Sequence, residues 1–135
     1  PAVAIDAKFS IPYCVAVALL DGAVGLDSFR PERLADPQVL ALAARVAVEE
    51  RPEPGWQRGV GGALAIHLAG GQILSAETPT APGGPAAPLD DAALVEKFVD
   101  CASRAAKPLG PAAALRLAEA ILNLETCTDV GALFA

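Results

Sequence analysis

The sequence contains no methionine, one histidine, one tyrosine, one tryptophan and three cysteines among its 135 residues. His67 is the only histidine, so a metal site built on a histidine pair is excluded. A catalytic triad in this chain would have to use His67 as its base. The cysteines are odd in number, widely spaced and without a Cys-X-X-Cys pair, which argues against a disulfide framework and a zinc site. Cysteines of this kind predict a reducing compartment, so we expect a cytoplasmic protein; they are Cys14, Cys101 and Cys127.

Positive charge is also scarce, because ten lysines and arginines face sixteen aspartates and glutamates and leave a formal net charge of -6. Phosphate contacts require lysine and arginine, so we expect neither a nucleic-acid partner nor binding to an anionic membrane surface. The longest apolar run, from Cys14 to Leu20, is too short to span a bilayer. The first residues carry no basic flank of the kind that begins a signal peptide.

Apolar residues, in contrast, make up 53% of the chain, which is enough for the core of one ordinary domain. The sequence begins at Pro1 rather than at a methionine. Either removal of an initiator methionine explains this beginning, or the sequence is part of a longer protein. Both alternatives stay open.

Helix start and stop signals predict four helices. A helix that is apolar on all sides is predicted over Ser10–Leu20, where Ser10 is a good N-cap and Asp21-Gly22 is a stop signal. A second helix starts at Asp36-Pro37, an N-cap followed by proline at the first helical position. Two further helices are predicted from Asp90 to about Ala106 and from Pro111 to about Leu124.

Alternation of apolar and polar residues predicts three short strands, over Arg45–Glu50, Gly59–Leu68 and Gln72–Thr78. A hairpin turn at Ala69-Gly70-Gly71 connects the last two strands. A three-residue loop there places Ile66 opposite Leu74 and keeps apolar residues on one face, whereas a two-residue loop pairs Ile66 with Ser75. The predicted fold class is α+β, with a short antiparallel sheet of about three strands packed with helices.

Tyr13 is the only tyrosine and falls within the predicted apolar helix. A buried phenol needs a hydrogen-bond partner, so one interpretation is a core residue bonded to a backbone carbonyl. The other interpretation is a phenol that projects from a rigid helix into a site, where it donates or accepts a proton. Composition and spacing leave both interpretations open.

One long motif resembles a known protein family. The run Asp6-Ala-Lys-Phe-Ser-Ile-Pro-Tyr-Cys-Val-Ala-Val-Ala-Leu-Leu-Asp-Gly22 is similar to the signature near the lid of the MmgE/PrpD family. This family includes 2-methylcitrate dehydratase, cis-aconitate decarboxylase and iminodisuccinate epimerase. Weaker similarities follow in the same order and extend the resemblance over nearly the whole chain: Phe29, Asp36-Pro-Gln-Val39, the hairpin at Gly70-Gly71, Gly84-Pro-Ala-Ala-Pro-Leu89 and Glu96-Lys-Phe98.

The resemblance is to the C-terminal part of these longer proteins, which combine a helical domain with a smaller α+β lid. It implies that residues 1–88 form a lid-like α+β segment. Residues 89–135 are then the C-terminal helices that in the family pack on the helical domain. Where the family often has Gly-His-Pro, this chain has Gly83-Gly84-Pro85, so its proline-rich loop lacks that histidine.

The resemblance also implies metal-independent chemistry on small di- or tricarboxylates, with no cofactor. A proton or carbon dioxide leaves a carbon next to a carboxylate, so basic groups must stabilise the negative charge that develops. Tyr13 matches the tyrosine of the family motif that lines the active-site cleft, and it is the implied catalytic residue. Lys8 is the candidate substrate-binding cation, against the default of an exposed surface lysine.

Two functions from different classes remain. The first is the C-terminal, lid-containing portion of an MmgE/PrpD-type enzyme, similar to 2-methylcitrate dehydratase. Its expected partners are a small polycarboxylate substrate, an upstream helical domain or partner chain, and further copies in a homo-oligomer. The second is a stand-alone, non-catalytic binding or assembly module that retains the fold.

Overall fold

The structure, a computed structural model, describes residues 1–50 and 61–134. The chain divides into two compact units, Pro1–Pro52 and Glu53–Ala135. In the first unit, a 3-10 turn over Leu26–Phe29 accompanies four helices: α1 (Ala4–Lys8), α2 (Ile11–Asp21), α3 (Pro31–Leu34) and α4 (Pro37–Ala43). In the second, 3-10 turns at Leu124–Thr126 and Val130–Phe134 follow two strands and two helices: β1 (Gly62–His67), β2 (Ile73–Thr78), α5 (Asp91–Ser103) and α6 (Pro111–Leu122). The α+β class is therefore confirmed.

Helix α2 begins and ends where its local sequence predicts. The Ser10 hydroxyl oxygen accepts a hydrogen bond of 3.3 Å from the backbone N–H of Tyr13. Pro12 lies in the first turn, where its missing N–H leaves no helical bond unmade. Gly22 ends the helix with a φ of 78°, in the left-handed region that glycine adopts without a side-chain clash.

The core of the first unit forms where α2 packs against α4 and α1. Tyr13 and Val17 of α2 and Val39 of α4 are fully buried, and Ala7 and Ala16 complete the cluster. Half-buried apolar side chains surround it: Phe29, Leu34, Leu42 and Ala43. Because apolar burial is the main favourable term in folding, this cluster fixes the backbone on both sides of Tyr13.

Strands β1 and β2 form an antiparallel hairpin, in which Ile66 pairs with Leu74 as predicted. The three-residue loop is closed by a hydrogen bond of 3.0 Å from the Gly71 N–H to the Leu68 carbonyl. Gly71 has a φ of 80°, which is the left-handed position that a three-residue hairpin loop requires. The turn residues therefore set the register correctly.

Helices α5 and α6 pack on each other in the second unit. The Asp90 side chain accepts the N–H of Ala93 at 2.8 Å and caps α5, and Pro111 opens α6, both as predicted. Both helices end two to three residues before the predicted positions. No helix among the described residues combines the length and hydropathy needed to cross a lipid bilayer.

The prediction of a strand over Arg45–Glu50 is wrong. Residues 46–50 have no regular secondary structure, and Val48 is 56% exposed. Alternating valines supply a face for a strand, but a strand also needs a neighbour whose backbone groups complete its hydrogen bonds. Within the described residues β1 and β2 pair only with each other, so the sheet has two strands instead of about three. Gly59 and Val60, which belong to a predicted strand, lie outside the described residues.

Candidate functional site

Tyr13 lies in the core of the first unit with no exposed surface. Its hydroxyl donates a hydrogen bond of 2.6 Å to the backbone carbonyl of Ser28. Burial raises the pKa of the Tyr13 phenol, so the group is a protonated donor at neutral pH. This is the arrangement of the structural interpretation, in which a backbone carbonyl satisfies a core phenol. The catalytic role of Tyr13 stays a prediction that only turnover tests.

The 3-10 turn Leu26–Phe29 brings an aromatic ring beside Tyr13. The turn is fixed from within, because the buried Ser28 accepts the N–H of Gly25 at its Oγ, at 3.1 Å. The ring centroids of Phe29 and Tyr13 lie 6.2 Å apart with a tilt of 36°, within the range of favourable aromatic pairs. In the sequence, Phe29 is one of the weaker similarities to the MmgE/PrpD family, and no separate role was predicted for it.

Lys8, the candidate substrate-binding cation, is the last residue of α1 and is exposed. Its Nζ lies 5.7 Å from the centroid of the Phe29 ring, which is within cation–π distance. No carboxylate in residues 1–50 or 61–134 forms an ion pair with this ammonium. Its three N–H donors are therefore available to an anionic group. The structure thus brings Lys8 and Tyr13 to the same ring, and the role of Lys8 in binding stays a prediction.

The charge of Arg33, in contrast, is already neutralised. Its guanidinium donates to Asp21 at 2.6 Å and to Asp36 as well, so it ties the end of α2 to the start of α4. The hydrogen bond to Asp21 raises the pKa of Arg33, so the guanidinium stays charged. The (i, i+3) spacing of Arg33 and Asp36 is visible in the sequence, whereas the contact with Asp21 is not.

The other two arginines within residues 1–50 are less suited than Lys8 to bind a substrate. Arg30 pairs with Asp27 at 2.6 Å, and both side chains are more than half exposed. Arg45 is exposed and makes no ion pair within residues 1–50 and 61–134, and no aromatic ring of those residues lies against it. Lys8 therefore differs from Arg45 in having a fixed aromatic support.

Asp36 caps α4 with one carboxylate oxygen and holds Arg33 with the other. Its Oδ1 accepts the N–H of Gln38 at 2.8 Å and the N–H of Val39 at 3.4 Å. The bond from Gln38 is the largest cause that holds the pKa of this carboxyl below its ordinary value, and Val39 and Arg33 act in the same direction.

We expect Asp36→Asn to lower the melting temperature at neutral pH but not in strong acid. A depressed pKa in the folded state gives a stabilisation that is complete above the ordinary pKa and is lost as the pH falls through the folded value, below about pH 4. Melting curves between pH 7 and pH 2 check this, with the exposed Glu77→Gln as the control. A deficit of equal size across the whole pH range would contradict the expectation.

The cysteines and His67 do not form a second site. The Cys14 Sγ lies 3.5 Å from the Ala7 carbonyl oxygen, and burial raises the pKa of the Cys14 thiol, which disfavours the reactive thiolate. Cys101 and Cys127 are free thiols, and His67 is exposed at the end of β1. Among residues 1–50 and 61–134, no three His, Cys, Asp or Glu side chains lie together in a way that could hold a metal ion.

The first unit thus carries an exposed cation on an aromatic support, and the second unit holds the antiparallel hairpin and helices α5 and α6. The chain matches the MmgE/PrpD C-terminal domain over residues 1–126. It therefore belongs to the MmgE/PrpD family as a C-terminal domain, which confirms the resemblance carried by the motif from Asp6 to Gly22. Comparison with curated proteins found no match.

Proposed function

We propose that the chain is the C-terminal, lid-containing portion of an MmgE/PrpD-type enzyme that acts on a small di- or tricarboxylate. The reaction is proton abstraction or elimination next to a carboxylate, as in a 2-methylcitrate dehydratase, and we expect it to be metal-independent. The observation that carries this proposal is the family match over residues 1–126. The unpaired cysteines of the described residues are compatible with the reducing cytoplasm that we propose as its location.

The charges of the first unit support a binding role for Lys8. Negative charge accumulates on the carboxylate oxygens of the substrate as a proton or a leaving group departs. An exposed ammonium that no described carboxylate neutralises also binds a substrate carboxylate before the reaction, through charge-assisted hydrogen bonds. We therefore assign the binding of one substrate carboxylate to Lys8, and the remaining basic groups to the upstream part of the enzyme.

The family resemblance implies Tyr13 as the proton donor, but the contacts of its hydroxyl favour a supporting role in the core. Its raised pKa keeps the proton on the phenol at neutral pH, which is the form that an acid needs. Its hydroxyl is at present bound to the Ser28 carbonyl and has no exposed surface. Catalysis by Tyr13 therefore requires that the hydroxyl exchange this carbonyl for the substrate.

The exposed apolar side chains of the first unit support packing against a further protein surface. Phe9 is 82% exposed, and α2 carries a single charged residue, Asp21, at its last position. A helix without a polar face is typical of a buried position. We propose that residues 1–88 form the lid and that residues 89–135 pack on a helical domain of the same or a partner chain, within a homo-oligomer.

The 135-residue chain alone is expected to show no dehydratase, decarboxylase or epimerase activity, whereas the product of the longest open reading frame that contains it is expected to be active. The reason is that the proposal places most of the charge-stabilising groups upstream. Both proteins are assayed against one panel of di- and tricarboxylates, with heat-denatured samples as controls. Turnover by the chain alone would contradict the proposal that most of the charge-stabilising groups lie upstream of it. An inactive longer product would favour the non-catalytic module.

A further inference from the structure

Three side chains of the first unit form one continuous contact from the core to the surface. Tyr13 is fully buried and its hydroxyl is held by the Ser28 carbonyl at 2.6 Å. Phe29 directly follows Ser28 in the sequence, and the centroid of its ring lies 6.2 Å from that of the Tyr13 ring. The Lys8 ammonium lies 5.7 Å from the centroid of that Phe29 ring. The position of the surface charge is therefore linked to a buried hydrogen bond through an aromatic pair.

This arrangement restricts a side chain that is normally mobile. A lysine ammonium is a point charge on a flexible four-carbon stem, so holding it in one place costs conformational entropy when a ligand binds. The face of an aromatic ring attracts a cation without occupying its N–H donors as a carboxylate would. A cation held by a ring keeps its full charge for a ligand, whereas Arg33 shares its charge with Asp21 and Asp36.

We infer that Phe29 is a positioning residue, which holds the Lys8 ammonium at the surface of the first unit so that it can meet an anionic group. Tyr13 supports Phe29 from the core in this arrangement. The position of the ammonium follows from the contacts of the first unit alone, and only the identity of the anion, a substrate carboxylate, rests on the proposed function. Phe29 affects binding through Lys8 and does not itself touch the substrate.

The contact between Lys8 and Phe29 is measurable without any substrate. The chain has three lysines, Lys8, Lys97 and Lys107, and reductive methylation with ¹³C-formaldehyde labels each of them while keeping its charge. We expect the methyl signals of Lys8, assigned with Lys8→Arg, to be shifted upfield from the other two by the ring current of Phe29. In Phe29→Leu they are expected to move to the position of Lys97 and Lys107.

Two further variants keep this experiment decisive. Phe29→Tyr keeps an aromatic face and is expected to preserve the upfield shift, so it tests the contact even where Phe29→Leu fails to fold. Phe98→Leu removes a ring of α5 and is expected to leave the Lys8 signals unchanged. Lys8 signals that coincide with those of Lys107 in the wild-type chain, or that do not respond to Phe29→Leu in a folded protein, would overturn the inference.

Kinetics of the complete enzyme provide the second readout. Phe29→Leu is expected to raise KM for the carboxylate substrate about two- to fivefold, the equilibrium equivalent of one exposed cation–π contact, with kcat unchanged. In a Lys8→Ala background the same substitution is expected to have no further effect on KM, and an additive effect would overturn the inference. An upfield Lys8 signal in a protein without carboxylate activity would leave the positioning role standing and reject the proposed function alone.

Discussion

Replacement of Lys8 by alanine in the complete enzyme is expected to raise KM for the di- or tricarboxylate substrate about 10- to 100-fold. This range corresponds to the loss of one hydrogen bond between charged groups. The structure supports an effect on binding, because Lys8 is exposed, lies over the Phe29 ring and makes no ion pair within residues 1–50 and 61–134. Steady-state kinetics at saturating and limiting substrate separate the effects on kcat and KM.

The matched control for Lys8→Ala is Lys107→Ala, which removes the same charge from an exposed position in the second unit. We expect its KM to equal that of the wild-type enzyme. Lys8→Arg retains the charge but changes its geometry, so it is expected to recover part of the lost affinity. Equal kinetics for Lys8→Ala and Lys107→Ala would remove Lys8 from the substrate site.

Replacement of Tyr13 by alanine is expected to unfold the first unit. Truncation of a large buried aromatic side chain costs about 3–5 kcal/mol, and a unit of this size has little stability to lose. The Ser28 carbonyl also loses its hydrogen-bond donor. Hydrogen exchange of the α2 amides tests this, since their protection should be lost.

Phe9→Ala is the matched control for this substitution, because it truncates an aromatic side chain of the same unit that is 82% exposed. Its expected effect on the free energy of unfolding is within about 0.5 kcal/mol. A loss of stability as large as that of Tyr13→Ala would show that Phe9 is covered in solution. Retained protection of α2 in Tyr13→Ala would contradict the central place of Tyr13 in the core.

The parts of the fold that depend on neighbouring residues could be predicted from the sequence. Ser10, Asp36 and Asp90 each accept backbone N–H groups within the next three residues, so helix starts are encoded locally. The hairpin register follows from a loop of three residues. Helices α1 and α3 went unpredicted because they have only five and four residues and no side-chain cap.

The parts that depend on distant residues could not be predicted. The sequence indicates that a buried Tyr13 needs a partner, but Ser28 lies 15 residues away and offers a backbone carbonyl, which every residue has. The approach of Lys8 to Phe29 likewise arises from the packing of α1 against the 3-10 turn. At the valines 46 and 48 the local pattern was misleading. It predicted a strand, but the described residues provide no neighbouring strand for it to pair with.

The central claim is that Tyr13 supports the site from the core, while Lys8 binds the substrate. Turnover and stability of the Tyr13→Phe variant of the complete enzyme test this claim most directly. The substitution keeps the ring beside Phe29 and removes only the hydroxyl bound to Ser28. The supporting role predicts a free energy of unfolding lower by about 1–3 kcal/mol, the cost of a buried carbonyl left unpaired, with kcat unchanged. An unchanged melting temperature with kcat lower by about a hundredfold or more would contradict it and make Tyr13 the acid of the reaction.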